Sequence, residues 1–190
     1  MTLKARAFSY LGAFSAVCAL LAGCTPADGT IPAPPPATPA SASATPPETA
    51  QQREERLAYE AAEKAYRIFR AEYDRISGKR GGSPKPTKAM TNNAAGPYLK
   101  IMKGFLNYKK TYRHHEDRPV RIAYVKHGGY SPNELILLVC EDGSKVRVFD
   151  DQDRQVSHGG TSKLSLRLRP VNHRWKVWDG DQTIVKTCID

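Results

Sequence analysis

Three groups of residues could carry chemistry, beginning with the four cysteines Cys18, Cys24, Cys140 and Cys188. Thiolates acylate, pair or bind metal, and their positions decide which. The second group is "YRHHEDRP", residues 112–119, where His114, His115, Glu116 and Asp117 gather ligand-type side chains. Adjacent residues point in different directions, whereas a helical zinc motif sets its histidines four apart on one face, so the stretch reads as a polar loop and no metal is expected. The third group is basic. Residues 78–119 hold ten Lys or Arg against Glu116 and Asp117, within a chain of net charge +10. Among them Lys100, Lys103, Lys109 and Lys110 form a candidate contact for an anionic surface, with a merely solubilising face as the bland alternative. No G-x-S-x-G, P-loop or dinucleotide fingerprint is present, and no cofactor is expected.

The elements around Cys24 define its role. Lys4 and Arg6 precede an apolar run from Ala7 to Leu21, which is too short for a membrane span and has the layout of an export signal over residues 1–23. Leu21-Ala22-Gly23-Cys24 resembles the lipobox of bacterial lipoproteins. That resemblance implies diacylglyceryl transfer to the Cys24 thiol, cleavage before it, and acylation of the new amino terminus, palmitate being a chain of the type attached. Each buried methylene adds about 0.8 kcal/mol, so two or more chains hold a protein on a membrane. Cys18 leaves with the signal, and the even remainder, Cys140 and Cys188, suggests a disulfide outside the cytoplasm; two buried free thiols are the alternative.

Residues 24–49 follow as a linker rich in Pro, Ala, Thr and Ser. Eight prolines lie between 26 and 47, and Ile31 is the one large apolar residue, so the segment cannot bury enough surface to offset the entropy of ordering.

Residues 50–190 form the globular part. Thr49 and Gln52 make a capping box ahead of a helix whose Ala58, Ala62, Tyr66, Phe69, Tyr73 and Ile76 share one face. A second helix is predicted from Pro97 to about Tyr112, with Tyr98, Ile101, Phe105, Tyr108 and Tyr112 as its buried face. From Pro119 the period becomes two, as in Leu164, Leu166 and Leu168, which argues for an antiparallel sheet. "FDDQDRQ" and "RPVNHR" supply turns, and at least two of the pairs Asp142-Gly143, Gly159-Gly160 and Asp179-Gly180 read as bulges in longer bent strands. The class is α+β, helices packed on a strongly bent antiparallel sheet.

The succession "AAGPYLKIMKGFLNYKK", "VCEDGSKVRVFDDQDRQV", a Leu-alternating strand, "HRWKVWDGD" and a late cysteine resembles small actinobacterial lipoproteins with an NTF2-like, cystatin-like cone domain. The resemblance implies a bent sheet wrapped on helices, often around a cavity, here lined by Tyr66, Phe69, Tyr98 and Phe105. Enzymes of that fold, such as ketosteroid isomerase-like proteins, use an acid or histidine base in an apolar cavity. In this chain Glu60, Glu63 and Asp74 fall off the helix stripe and most sheet acids fall in turns. No inward acid is therefore expected and no catalytic residue is assigned.

The expectation is a lipid-anchored extracytoplasmic binding or accessory protein of a Gram-positive-type cell envelope. Its partners would be membrane lipid through Cys24 and an anionic envelope polymer or another envelope protein. The alternatives are a small-molecule carrier or enzyme using the cone cavity, or a component of a DNA-transfer or phage-exclusion system at the membrane. An exported lipidated chain rarely meets nucleic acid, which is not expected as a partner.

Overall fold

A computed structural model describes residues 47–79, 83 and 85–189. Cys24, the signal segment and nearly all of the linker lie outside the described residues. Helix α1 (Ala50–Ser77) begins at the capping box read from sequence, with the Thr49 side chain accepting from the Gln52 N–H and the Gln52 side chain accepting from the Thr49 N–H. The expected stripe is the buried one, Ala58, Ala62, Tyr66, Phe69, Tyr73 and Ile76 all being core residues. A short helix α2 (Lys88–Asn93), absent from the sequence reading, is capped by Thr87 and buries Met90.

Helix α3 (Gly96–Thr111) lies where the second helix was predicted but is turned about its axis. Tyr98, Met102 and Leu106 are buried, whereas Ile101, Phe105, Tyr108 and Tyr112 are each at least half exposed. The apolar arc of α3 is wider than its contact, and the docking of its first turn chooses the side. The Ala95 N–H donates to the Val177 carbonyl at 2.9 Å, and Gly96, at φ 56°, packs so closely that a Cβ there would stand 2.8 Å from the Trp178 ring. Only glycine tolerates both that dihedral and that approach.

The strands are β1 (His115–Glu116), β2 (Arg121–Ser131), β3 (Glu134–Asp142), β4 (Arg147–Phe149), β5 (Gln155–His158), β6 (Thr161–Val171) and β7 (Arg174–Val185). They form an antiparallel sheet of order β2-β3-β6-β7 and a smaller one of order β1-β4-β5. Together β3–β4 and β5–β6 make one long bent hairpin that reverses at Asp150–Arg154. Its bend falls where the Gly143 N–H donates to the Gly160 carbonyl, two backbones meeting so closely that a Cβ on Gly143 would come 2.8 Å from that oxygen. Asn172 and His173, both at positive φ, turn β6 into β7, and Gly180 sits inside β7 just past a register shift opposite Arg167/Leu168.

None of the three glycine pairs is therefore a hairpin turn. Leu135, Leu137, Val139, Leu166, Leu168 and Val177 face the α1 stripe and form the core, each Leu contributing roughly 1.5–3 kcal/mol by burial. Cys140 alternates with Val139 and so lies on the sheet's other face. There it is bonded to Cys188, with the Cα atoms 5.8 Å apart, which ties the segment after β7 back to β3.

Candidate functional site

Between α3 and the core face of the sheet the packing is incomplete. A half-open cavity of about 240 Å³ is walled by Tyr98, Ile101, Met102 and Phe105 from α3 and Leu164 and Leu166 from β6, with Asp181 and Gln182 of β7 at its rim. Phe105 also borders a second lobe of about 280 Å³, closed on the far side by Val148, Val156 and Ser157 of the β4–β5 hairpin. The two lobes make a trough along α3. The half-exposed ring of Phe105 is a consequence: the space it faces is unfilled.

The floor is charged. Arg70, on α1, donates from Nη2 to Asp74 Oδ1 at 2.6 Å and from Nη1 to Glu141 Oε2 at 3.2 Å, while Glu141 Oε1 accepts from the Tyr66 hydroxyl. Lys109 of α3 is bonded to Glu116 of β1. The i,i+4 spacing of Arg70 and Asp74 puts both on one side of α1, beside the apolar stripe.

Burial works against the charge of Arg70, but Glu141 and Asp74 outweigh it and its pKa is raised. Burial pushes Asp74 above the usual carboxylate range, opposed by Arg70. Tyr66 and Tyr98 are also pushed up, by burial and then by Glu141, and Tyr73 is raised to about 12 by burial and then by Glu116. Lys109 is lowered by burial, with Glu116 pulling the other way. Arg70 and Lys109 both stand over the Tyr73 ring, at 5.2 and 5.5 Å from its centroid. Two buried polar atoms of this floor, Glu116 Oε2 and Arg70 Nε, have no hydrogen-bond partner.

Four sequence expectations change here. Tyr98 and Phe105 line the cavity as read, but Tyr66 and Phe69 do not: both are fully buried beneath it, Phe69 edge-on to Tyr98 at 5.3 Å. Acidic residues do point inward, namely Asp74 and Glu141, at 8% and 7% exposure. Their shared partner Arg70 makes that burial tolerable, since a buried carboxylate without a cation or hydrogen bonds would be costly. Lys109 is turned into the floor rather than toward an external surface, leaving Lys100, Lys103 and Lys110 exposed.

The alternation that sets Leu135, Leu137 and Val139 inward continues to Glu141, a signal the sequence reading passed over. Asp74 had no such marker apart from its i,i+4 spacing to Arg70. In the 112–119 stretch each side chain is engaged separately: the His115 ring lies 5.7 Å from that of Phe149, Glu116 pairs with Lys109, and Asp117 accepts from Arg147 Nε at 2.9 Å. Among the described residues no three His, Cys, Asp or Glu gather as a metal set, and no helix is long and apolar enough to cross a membrane.

No family model and no curated protein matches the chain. Several solved structures do. A protein of unknown function with a cystatin-like fold from Nostoc punctiforme is 12% identical with a TM-score of 0.40, covering 72% of this chain and 93% of its own. An uncharacterized protein with a cystatin-like fold from Caulobacter vibrioides is 15% identical with a TM-score of 0.39, covering 70% and 90%. The intermembrane space region of the chloroplast protein ARC6 is 11% identical with a TM-score of 0.47, covering 66% and 96%. At these identities the likenesses concern the path of the chain alone.

Proposed function

We propose that this chain is a lipid-anchored extracytoplasmic binding protein that catalyses no reaction and that its binding site is the trough between α3 and the sheet. The observation that carries the reading is the state of the buried acids around an open cavity. Glu141 has both oxygens occupied, Asp74 is held by Arg70, and Glu116 is held by Lys109. A general base must be free to take a proton from a substrate. Carboxylates tied into ion pairs shape and polarise a pocket instead.

Export is supported by the cystine between Cys140 and Cys188, a bond that persists in oxidising compartments. Anchoring is supported by the lipobox-like Leu21-Ala22-Gly23-Cys24, with a proline-rich tether behind it. Mass spectrometry of the protein isolated from its own cells tests this directly. The mature chain is expected to start at Cys24 and to carry added acyl mass. An unprocessed amino terminus without that mass would overturn the anchor.

A second reading is supported by the outer surface of α3, which has no acidic residue and exposes Lys100, Lys103 and Lys110. These lysines would hold the domain against an anionic membrane or envelope polymer, adding roughly 1 kcal/mol per charge close to such a surface. The two readings are compatible, because the lysines and the trough use different sides of the same helix.

A further inference from the structure

Helix α3 leaves a ridge of large apolar side chains uncovered. Ile101, Phe105, Tyr108 and Tyr112 follow one another at intervals of four, three and four, so at about 100° per residue they fall within an arc of about 60°. Each is 50–56% exposed. The ridge ends in a cluster of rings, Tyr108 and Tyr112 at 4.6 Å between centroids and His114 within 6 Å of both. Val156, 46% exposed, stands across the second lobe from Phe105 and Tyr108. A contiguous apolar surface bordered by polar residues marks a contact face.

The charges beside it indicate what the contact is. Further round the same helix Lys100, Lys103 and Lys110 are exposed, and α3 has no acidic residue. Gly104 and Thr111, small and uncharged, lie between the ridge and the lysines. A flat surface laid along Gly104 and Thr111 meets the ridge on one side and Lys100 on the other, with Lys103 and Lys110 in reach through their long side chains. The acids around the C-terminal end of α3 are already partnered. Asp151 accepts from Arg113 Nη1 at 2.7 Å, Asp153 Oδ1 lies 3.7 Å from His115 Nε2, and Glu116 is bonded to Lys109. The surface offered is therefore hydrocarbon flanked by uncompensated positive charge.

Resting on the reading of Cys24 as a lipid anchor, we propose that α3 docks on the anionic bilayer to which the chain is tied. The helix lies along the interface, with Ile101 and Phe105 among the acyl carbons, Tyr108 and Tyr112 at headgroup level, and the lysines on anionic lipid. Aromatic rings with a polar tip favour that level, and a helix with apolar and lysine-bearing faces lies in that plane. Weak docking suffices, because 24 residues separate Cys24 from Thr49. Even fully extended they reach less than about 90 Å, which holds the ridge near the surface at an effective concentration of about 1 mM. An anionic polymer would meet the lysines but give the ridge nothing to enter. A second copy of the chain would bring further cations and no acid.

Hydroxyl-radical footprinting, read by peptide mass spectrometry, tests this on the protein isolated from its own membranes. The protein is reconstituted into vesicles of phosphatidylcholine mixed with phosphatidylglycerol, or of phosphatidylcholine alone. Leu57, 51% exposed and outside the ridge, is the internal reference once intrinsic reactivities are corrected. On anionic vesicles Phe105, Tyr108 and Tyr112 are expected to react about threefold more slowly than Leu57, equivalent to docking for about two-thirds of the time. The protection should weaken on phosphatidylcholine alone and at high salt, where the lysines contribute less. Ile101→Ser combined with Phe105→Ser, two changes at exposed positions, should return Tyr108 and Tyr112 to the level of Leu57. Tyrosines that match Leu57 on both vesicles would overturn the docking and leave the anchor, which is read separately as acyl mass. Protection unmoved by the double serine variant would leave the lysine contact alone and overturn insertion of the ridge. Protection in native membranes with none on lipid alone would assign the ridge to a protein partner and overturn the bilayer. A chain without acyl mass that floats with neither vesicle would overturn anchor and docking together.

Discussion

Replacing Arg70 by Met removes the one cation shared by Asp74 and Glu141. The Arg70 side chain is 12% exposed, and those of its partners are 6% and 10% exposed, so the two carboxylates would be left in a largely dry site. Breaking a buried pair by deleting one partner costs about 3–5 kcal/mol, because the remaining charge is uncompensated. A domain of about 140 residues unfolds with an entropy near 0.3 kcal/mol/K, which converts that cost into a fall in Tm of roughly 10–17 °C at pH 7.5. The pH dependence carries the sign.

In the variant the orphaned carboxylates have folded-state pKa values raised above their unfolded values near 4. The added destabilisation is therefore fully present at neutral pH and shrinks as protons bind on the way down to the unfolded value. Calorimetric melting of wild type and Arg70→Met at pH 7.5 and pH 5 should show the gap narrowing at the lower pH. Arg113→Met, which breaks an exposed pair with Asp151, serves as the control and should cost under about 1 kcal/mol at either pH. A Tm for Arg70→Met within 3 °C of wild type, or a gap that stays constant with pH, would refute the electrostatic account of the floor.

The rotation of α3 predicts that Leu106→Ala costs about 2–5 kcal/mol while Phe105→Ala, one residue away, stays within about 1 kcal/mol; chemical denaturation compares them, and equal losses would put the wrong face inward. Gly96→Ala should destabilise by about 2–3 kcal/mol through strain at φ 56° and collision with Trp178. Gly104→Ala, with nothing within 4 Å of its added carbon, should stabilise by about 0.5–1 kcal/mol; finding the same sign for both in thermal melts would contradict this geometry. Reducing Cys140–Cys188, which closes a separation of 48 residues, should lower stability by about 4 kcal/mol in the chain-entropy model, read as a lower melting temperature with dithiothreitol. A shift under about 2 °C would argue against that estimate.

The α1 capping box, the α1 stripe, the change of period after Pro119 and the turn chemistry were legible because each is local. Thr49 and Gln52 bond each other, and Asn172 and His173 form a turn wherever the rest of the chain lies. The face of α3 was not legible for the opposite reason. Tyr98, Met102 and Leu106 compete with Ile101, Phe105 and Tyr108 for burial, and Trp178, distant in sequence, decides between them by packing on Gly96.

The charged floor stood in between. Glu141 continues the inward alternation of Leu137 and Val139, but an acid on that register looks like an error until Arg70 and Tyr66 are found opposite it. Lys109 looked like part of a basic surface, because its partner Glu116 lies beyond the end of α3. Long-range pairing, invisible to periodicity, built the candidate site.

The account's central claim is that ligand enters the trough between α3 and the sheet, and methyl-resolved NMR during titration with 1-octanol, an uncharged probe suited to its apolar walls, measures this most directly. The account predicts saturable shifts concentrated on Ile101, Met102, Leu164 and Leu166, with Leu57 and Leu138, exposed apolar residues outside the trough, unmoved. Shifts centred on those two residues, or scattered without saturation, would contradict it.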